Sequence, residues 1–126
     1  MPAMRIAAPL LLLCLSTSMF ASPRTAADVL QKCKNASNTT EEITKLSPSD
    51  QRDVLFCEGY VSAMVDMANA IAANDNSKKQ GACAVTAPLK EVIKAVVLYL
   101  TNHPEVLHDP PTRPVITAIG RSVNCP

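Results

Sequence analysis

The chain has 126 residues, of which 48% are apolar and 3% aromatic, and its formal net charge is +1. This length accommodates one small domain, and the composition excludes a disordered or collagen-like chain. The nearly balanced charge removes the usual electrostatic case for binding nucleic acid.

The first 21 residues predict a secretory signal peptide. Arg5 carries a positive charge, residues 6–15 form an apolar run, and small polar residues lead to an expected cleavage after Ala21. The run has about half of the roughly 20 apolar residues that a transmembrane helix needs. We therefore expect an exported protein without a membrane anchor, whose residues 22–126 form a single helical domain.

Local capping signals and apolar spacing predict the first two helices. A capping box at Thr25 and Asp28 begins a helix over about residues 26–35, and one helical turn is expected near residues 41–45. Ser47 and the proline after it begin a long amphipathic helix that runs to about residue 73. Gly59 lies inside it, where either close approach of another backbone or ordinary tolerance would explain a glycine.

Two further helices are expected in the second half of the chain. The third begins after Thr86 or Ala87 and ends at His103, because the residue before a proline avoids the helical region. Thr112 is the expected cap of the fourth helix, with Pro114 in its first turn. No stretch alternates with a period of two, so the prediction is an all-α, four-helix bundle.

Four cysteines remain after the expected cleavage, and an even number in a short exported chain predicts disulfides. They are Cys33, Cys57, Cys83 and Cys125. In an up-down bundle with simple hairpin connections, the first two lie at one end and the last two at the other. Because bridged Cα atoms lie within about 7 Å, the pairing Cys33–Cys57 with Cys83–Cys125 fits best among the three possible connectivities.

The sequence contains no motif typical of an enzyme, a cofactor or a metal site. Disulfide-bonded cysteines cannot act as nucleophiles, and no nucleotide-binding or hydrolase signature is present. His103 and His108 are five residues apart in a proline-rich connection, which is not the helical spacing of paired zinc ligands. We therefore expect no catalytic residues, no cofactor and no metal.

Two blocks of sequence resemble a family of bacterial immunity proteins. They are Phe56-Cys57-Glu58-Gly59-Tyr60-Val61 with Asp66 downstream, and Tyr99-Leu100-Thr101-Asn102-His103-Pro104-Glu105 with His108, followed by Cys125. In order and spacing the chain is similar to the Rap/Tai immunity proteins of type VI secretion over about residues 29–125. The resemblance implies a periplasmic homodimer that binds and blocks a peptidoglycan amidase effector and so protects the cell's own wall.

On this interpretation, the exposed connections of the bundle would contact the amidase. The stiff, proline-rich stretch 103–113 is the first candidate, because limited flexibility lowers the entropy cost of binding. Its expected contact residues are His103, Pro104, Glu105, His108, Asp109 and Arg113. The loop 74–81 is the second candidate, with Asn76, Lys78 and Lys79.

Two other interpretations remain open at this point. One is an acid-stress chaperone of the HdeA kind, in which carboxylates and histidines would sense acid, although disulfides would oppose its opening. The other is a periplasmic binding protein of the same fold that has no amidase partner.

Overall fold

The computed structural model describes residues 22–74 and 84–122, and within them the chain forms four α-helices and no strand. The helices are α1 (Ala26–Asn38), α2 (Pro48–Ala73), α3 (Leu89–Asn102) and α4 (Thr112–Ser122). Short 3-10 turns cover Ile43–Lys45 and Pro104–Val106. The predicted all-α class and the predicted turn near residues 41–45 are confirmed. The signal peptide, Cys83 and Cys125 lie outside the described residues.

Side chains cap the first two helices as predicted. The Asp28 backbone N–H donates to Thr25 Oγ1 at 3.4 Å, and the Thr25 N–H donates to Asp28 Oδ2 at 3.0 Å. At α2, the Asp50 N–H donates to Ser47 Oγ at 3.2 Å, with Pro48 in the first helical position. Each cap satisfies backbone N–H groups that have no partner within their own helix.

The two later helices each begin directly after a proline, and the predicted cap at Thr112 is absent. Helix α3 follows Pro88, which makes no side-chain cap, so neither Thr86 nor Ala87 caps it. Thr112 is the first residue of α4, and the Val115 N–H donates to the Pro111 carbonyl at 3.0 Å. In both places a proline carbonyl accepts a first-turn hydrogen bond. The predicted cap at Thr112 was wrong by one position, because Thr112 is already helical and Pro111 precedes it.

The apolar stripes of the four helices meet in a single core. Its largest fully buried side chains include Val29 of α1, Val61 of α2, Ile93 and Leu100 of α3, and Ile119 of α4. Complete burial of such side chains is the main stabilising contribution to a bundle of this size.

The predicted disulfide Cys33–Cys57 is present and joins α1 to α2, with the two Cα atoms 5.0 Å apart. Polar contacts lie beside it: Lys32 Nζ is 3.4 Å from Asp53 Oδ1, and Asn35 Nδ2 donates to Asp50 Oδ1 at 2.9 Å. Both cysteines are fully buried. The bond therefore fixes the antiparallel α1–α2 pair from within the core.

The direction of α3 differs from the simple up-down bundle that the sequence suggested. Helix α2 begins beside the end of α1, where Asn35 bonds Asp50, and α3 begins there too, where Lys90 Nζ donates to the Thr39 carbonyl at 2.9 Å. Helices α2 and α3 therefore run in the same direction, and α1 packs against both. The connection over residues 74–88 is long enough to return the chain to the same end of the bundle.

Helix α2 is apolar over much of its surface but is only partly covered by the bundle. By length and composition alone it could span a membrane, yet only 17% of its most apolar 18-residue window is buried. The Cys33–Cys57 bond and the buried Val54 and Val61 place one side of α2 in the core. Gly59 is exposed, and nothing lies within 4 Å of a Cβ built there, so no backbone approaches it within the described residues.

Candidate partner-binding surface

Residues 103–113, here called the connector, link α3 to α4. The connector has an inner side that faces the core and an outer side that faces solvent. On the inner side, Val106 and Leu107 pack against the core and Pro111 is buried. On the outer side, the exposed residues are Pro104, Glu105, His108, Asp109, Pro110, Thr112 and Arg113. The apolar contacts and prolines thus hold a polar surface in a fixed conformation.

Helix α1 anchors the connector through its first backbone N–H groups. The Ala26 N–H donates to the Asp109 carbonyl at 2.9 Å, and the Ala27 N–H donates to the Leu107 carbonyl at 3.0 Å. The first N–H groups of a helix have no partner within the helix. Here two carbonyl groups of the connector accept hydrogen bonds from two of them. Sequence reasoning missed this contact, because every residue carries a carbonyl and none signals it.

His103 lies at the start of the connector and faces the protein. Its Nδ1 is 2.8 Å from the Tyr99 carbonyl, and its ring stacks on the Tyr99 ring with centroids 4.0 Å apart. The Arg121 guanidinium lies 5.2 Å from the centroid of Tyr99. His103 therefore packs against the end of α3, and Tyr99 in turn contacts Arg121 of α4. The predicted contact of His103 with a partner stays a prediction.

Four other predicted contact residues present a charge or an imidazole ring to solvent. Glu105, His108, Asp109 and Arg113 are exposed. None makes a side-chain hydrogen bond or ion pair within residues 22–74 and 84–122. Both signs of charge are thus available to a complementary protein surface. The second predicted loop, with Asn76, Lys78 and Lys79, lies outside the described residues.

The outer side of the connector offers an exposed polar surface to a partner. In the part of the chain that the structure describes, no three His, Cys, Asp or Glu side chains converge as a metal site requires. Glu105, His108, Asp109 and Arg113 lie exposed on the outer side of the connector. A rigid, polar surface of this kind fits the recognition of another protein.

Tyr60 of α2 lies near the far end of the connector and remains uncharged. Its hydroxyl is buried and has no hydrogen-bond partner among the described residues. Burial raises the pKa of Tyr60, and the nearby Thr112 side chain acts in the opposite direction. The ring stacks on Phe56 with centroids 5.8 Å apart and packs against the core.

The capping box holds the end of α1 that anchors the connector. Hydrogen bonds from the Thr25 and Arg24 backbone N–H groups hold the pKa of Asp28 below its ordinary value. A lowered carboxyl pKa stabilises the folded protein above the ordinary pKa, and this contribution is lost as the pH falls through the lowered value. The α1 cap therefore weakens in acid.

Thr25→Ala should lower the free energy of unfolding by about 1 kcal/mol at pH 7, because the Asp28 N–H loses its acceptor. Urea unfolding followed by circular dichroism measures the loss. Thr86→Ala is the matched control, since that exposed threonine caps no helix. Asp28→Asn should also destabilise at pH 7, with a difference from wild type that disappears in acid. Equal losses for the two threonine variants would contradict the assigned cap.

In comparison with known protein families, the chain matches one family model. The model of the family described as Rap1a immunity proteins matches residues 25–125. The match begins at the cap of α1 and includes all four helices, the disulfide and the connector. No curated protein and no solved structure gave a significant match.

Proposed function

The chain belongs to the Rap1a immunity protein family, and on this premise we propose that it binds and blocks a peptidoglycan amidase delivered by type VI secretion. Blocking the amidase would protect the wall of the cell that makes the inhibitor. The observation that carries the proposal is the family match over residues 25–125, which spans nearly the whole chain after the expected signal peptide.

The proposed place of action is the periplasm, where such an amidase meets peptidoglycan. The N-terminal segment supports export, since it has the charge and apolar pattern of a signal peptide. The buried Cys33–Cys57 bond supports it independently, because disulfides persist in oxidising compartments. The inhibitor is proposed to act as a homodimer.

The connector is the proposed contact with the amidase. Its backbone is held by α1 at two points, so few conformations are lost when a partner binds. Its exposed charges can complement those around the cleft of an enzyme. A stable inhibitor complex would bury about 1,600 Å² in total, which requires surface beyond the connector itself.

The test uses the exported, oxidised protein and a type VI peptidoglycan amidase whose hydrolysis of purified wall is followed by released fragments. Wild-type protein should abolish hydrolysis at an equimolar ratio. His108→Ala and Arg113→Ala should each weaken inhibition about tenfold or more, because exposed charged and ring side chains at the centre of an interface often dominate affinity.

Lys94→Ala supplies the control, since Lys94 is an exposed charge on α3 outside the connector. It should inhibit like wild type. Hydrolysis that continues unchanged with excess wild-type protein would contradict the proposed function for that amidase. Full inhibition by both connector variants would contradict only the assignment of the contact surface.

A further inference from the structure

A shallow pocket of about 290 Å³ lies between the last turns of α3 and α4, beside the start of the connector. Its walls include Leu98 and Tyr99 of α3, His103 of the connector, and Ala118 and Arg121 of α4. The wall residues supply one guanidinium and one imidazole and include no carboxylate. A small open pocket with this composition is suited to a small group that carries a negative charge.

Arg121 is held at the pocket by an aromatic ring and not by an acidic partner among the described residues. Its guanidinium lies 5.2 Å from the centroid of the Tyr99 ring, and it forms no ion pair or side-chain hydrogen bond within residues 22–74 and 84–122. A cation over an aromatic ring is attracted by the electrons of the ring, which leaves the five N–H donors of the guanidinium available. The side chain is exposed, so a ligand in the pocket can reach these donors.

His103 offers the pocket a hydrogen-bond acceptor. Its Nδ1 is 2.8 Å from the Tyr99 carbonyl, and because a carbonyl oxygen only accepts, Nδ1 carries the ring proton. The other nitrogen of the neutral ring, Nε2, is then an acceptor, and it has no hydrogen-bond partner among the described residues. Since the His103 ring stacks on the same tyrosine that Arg121 contacts, both groups are held around one ring.

An exposed leucine forms the apolar part of the pocket wall. Leu98 is 63% exposed, although it lies on a helix that supplies much of the core. Ala95 and Ala118 also line the pocket, and their small side chains leave room for a ligand. A ligand group that covers Leu98 removes apolar surface from water, which favours binding.

We propose that this pocket binds the C-terminal carboxylate of a short peptide whose last residue is apolar. The Arg121 guanidinium donates two hydrogen bonds to the carboxylate, and His103 Nε2 accepts a hydrogen bond from the backbone N–H of that last residue. The side chain of the last residue lies against Leu98. All three contacts use residues that line one pocket. The site goes beyond the proposed inhibition, because a peptide needs no amidase in order to bind here.

A carboxylate fits the pocket better than a phosphate does. The planar guanidinium matches the planar carboxylate in shape, and its single positive charge balances the single negative charge. The pocket lies at the C-terminal ends of α3 and α4, where the helix carbonyl groups carry a partial negative charge. This partial charge repels a doubly charged phosphate more strongly than a singly charged carboxylate, which Arg121 alone can neutralise.

The first test is a nuclear magnetic resonance titration of the exported, oxidised protein with N-acetyl-leucine, which has the carboxylate, the N–H group and the apolar side chain of such a peptide end. Saturable shifts are expected at residues 95–103 and 118–122, with a Kd of about 1 mM for a ligand of this size. N-acetyl-leucinamide has an uncharged amide in place of the carboxylate and should bind at least about fivefold more weakly. Equal affinities for the acid and the amide, or no saturation below about 20 mM, would overturn the site. Displacement of N-acetyl-leucine by an equal concentration of inorganic phosphate would overturn the preference for a carboxylate.

The second test uses two matched arginine variants. Arg121→Gln should weaken the binding of N-acetyl-leucine about fivefold or more, because the charged hydrogen bonds to the carboxylate are lost. Arg52→Gln changes an exposed arginine of α2 outside the pocket and should leave the affinity unchanged. Equal affinities of the two variants for N-acetyl-leucine would overturn the role of Arg121.

Leu98→Ala tests the apolar contact with two ligands. N-acetyl-leucine should bind about threefold more weakly to this variant, whereas N-acetyl-glycine, which has no side chain to cover Leu98, should bind equally to the variant and the wild type. An equal loss for both ligands would overturn the assigned orientation of the peptide. No amidase takes part in these measurements, so the peptide site can fail while the amidase proposal holds, and the amidase proposal can fail while the peptide site holds.

Discussion

Replacing Cys33 and Cys57 together by alanine should lower the free energy of unfolding by about 3 to 4 kcal/mol. The bond closes a loop with a sequence separation of 24 residues, and opening such a loop increases the conformational freedom of the unfolded chain by about that amount. This is a large part of the stability of a domain of this size. Urea unfolding of the oxidised wild type and the double variant measures the difference.

Reduction of the double variant provides the accompanying control. If Cys83 and Cys125 form the second predicted bond, a reductant should destabilise the double variant further, because that bond is then the one remaining to be broken. If they do not, the reductant should have no effect. A loss below about 1 kcal/mol for the double variant itself would contradict a stabilising role of the Cys33–Cys57 bond.

Leu100→Ala should cost about 2 to 5 kcal/mol of unfolding free energy, because Leu100 is fully buried at the centre of the core and its removal leaves a cavity. Leu98→Ala is the matched control. It lies two residues away on α3 but is 63% exposed, so its loss should stay within about 0.5 kcal/mol. Denaturant unfolding of the two variants measures both losses. Because both replace a leucine of α3 by alanine, the difference between the losses reports the effect of burial alone.

Comparable losses for the two leucine variants would contradict the assigned packing of α3. If both variants aggregate during export, hydrogen exchange of the wild-type protein provides a second measurement. Amide groups around Leu100 should exchange only through global unfolding, whereas those at the exposed end of α3 should exchange by local opening.

The position of the candidate site could be read from the sequence, but its orientation could not. The prolines and polar residues after α3 predict a stiff, exposed connection, and the structure has one there. Which side chains face outward is decided by packing: Leu107 lies against the core and His103 stacks on Tyr99, whereas Glu105 and His108 remain exposed. A polar residue pattern alone does not distinguish these two sides.

The sequence by itself determined the features that depend on residues a few positions apart. The capping box at Thr25 and the side-chain cap at Ser47 act over three residues, and the apolar spacing of each helix repeats every three or four. The Cys33–Cys57 pair spans 24 residues, so its prediction also needed the expectation that two consecutive helices pack side by side. The caps and the apolar spacing are local signals, so they survive without knowledge of the rest of the fold.

Only the tertiary structure decided how these pieces are arranged. The 74–88 connection is long enough to lead to either end of the bundle, so the direction of α3 beside α2 depends on which buried faces fit together. The bonds from Ala26 and Ala27 to the connector use backbone carbonyls, which every residue carries. Interactions between generic backbone groups and between distant apolar faces leave no pattern in the sequence, because their partners are chosen by packing.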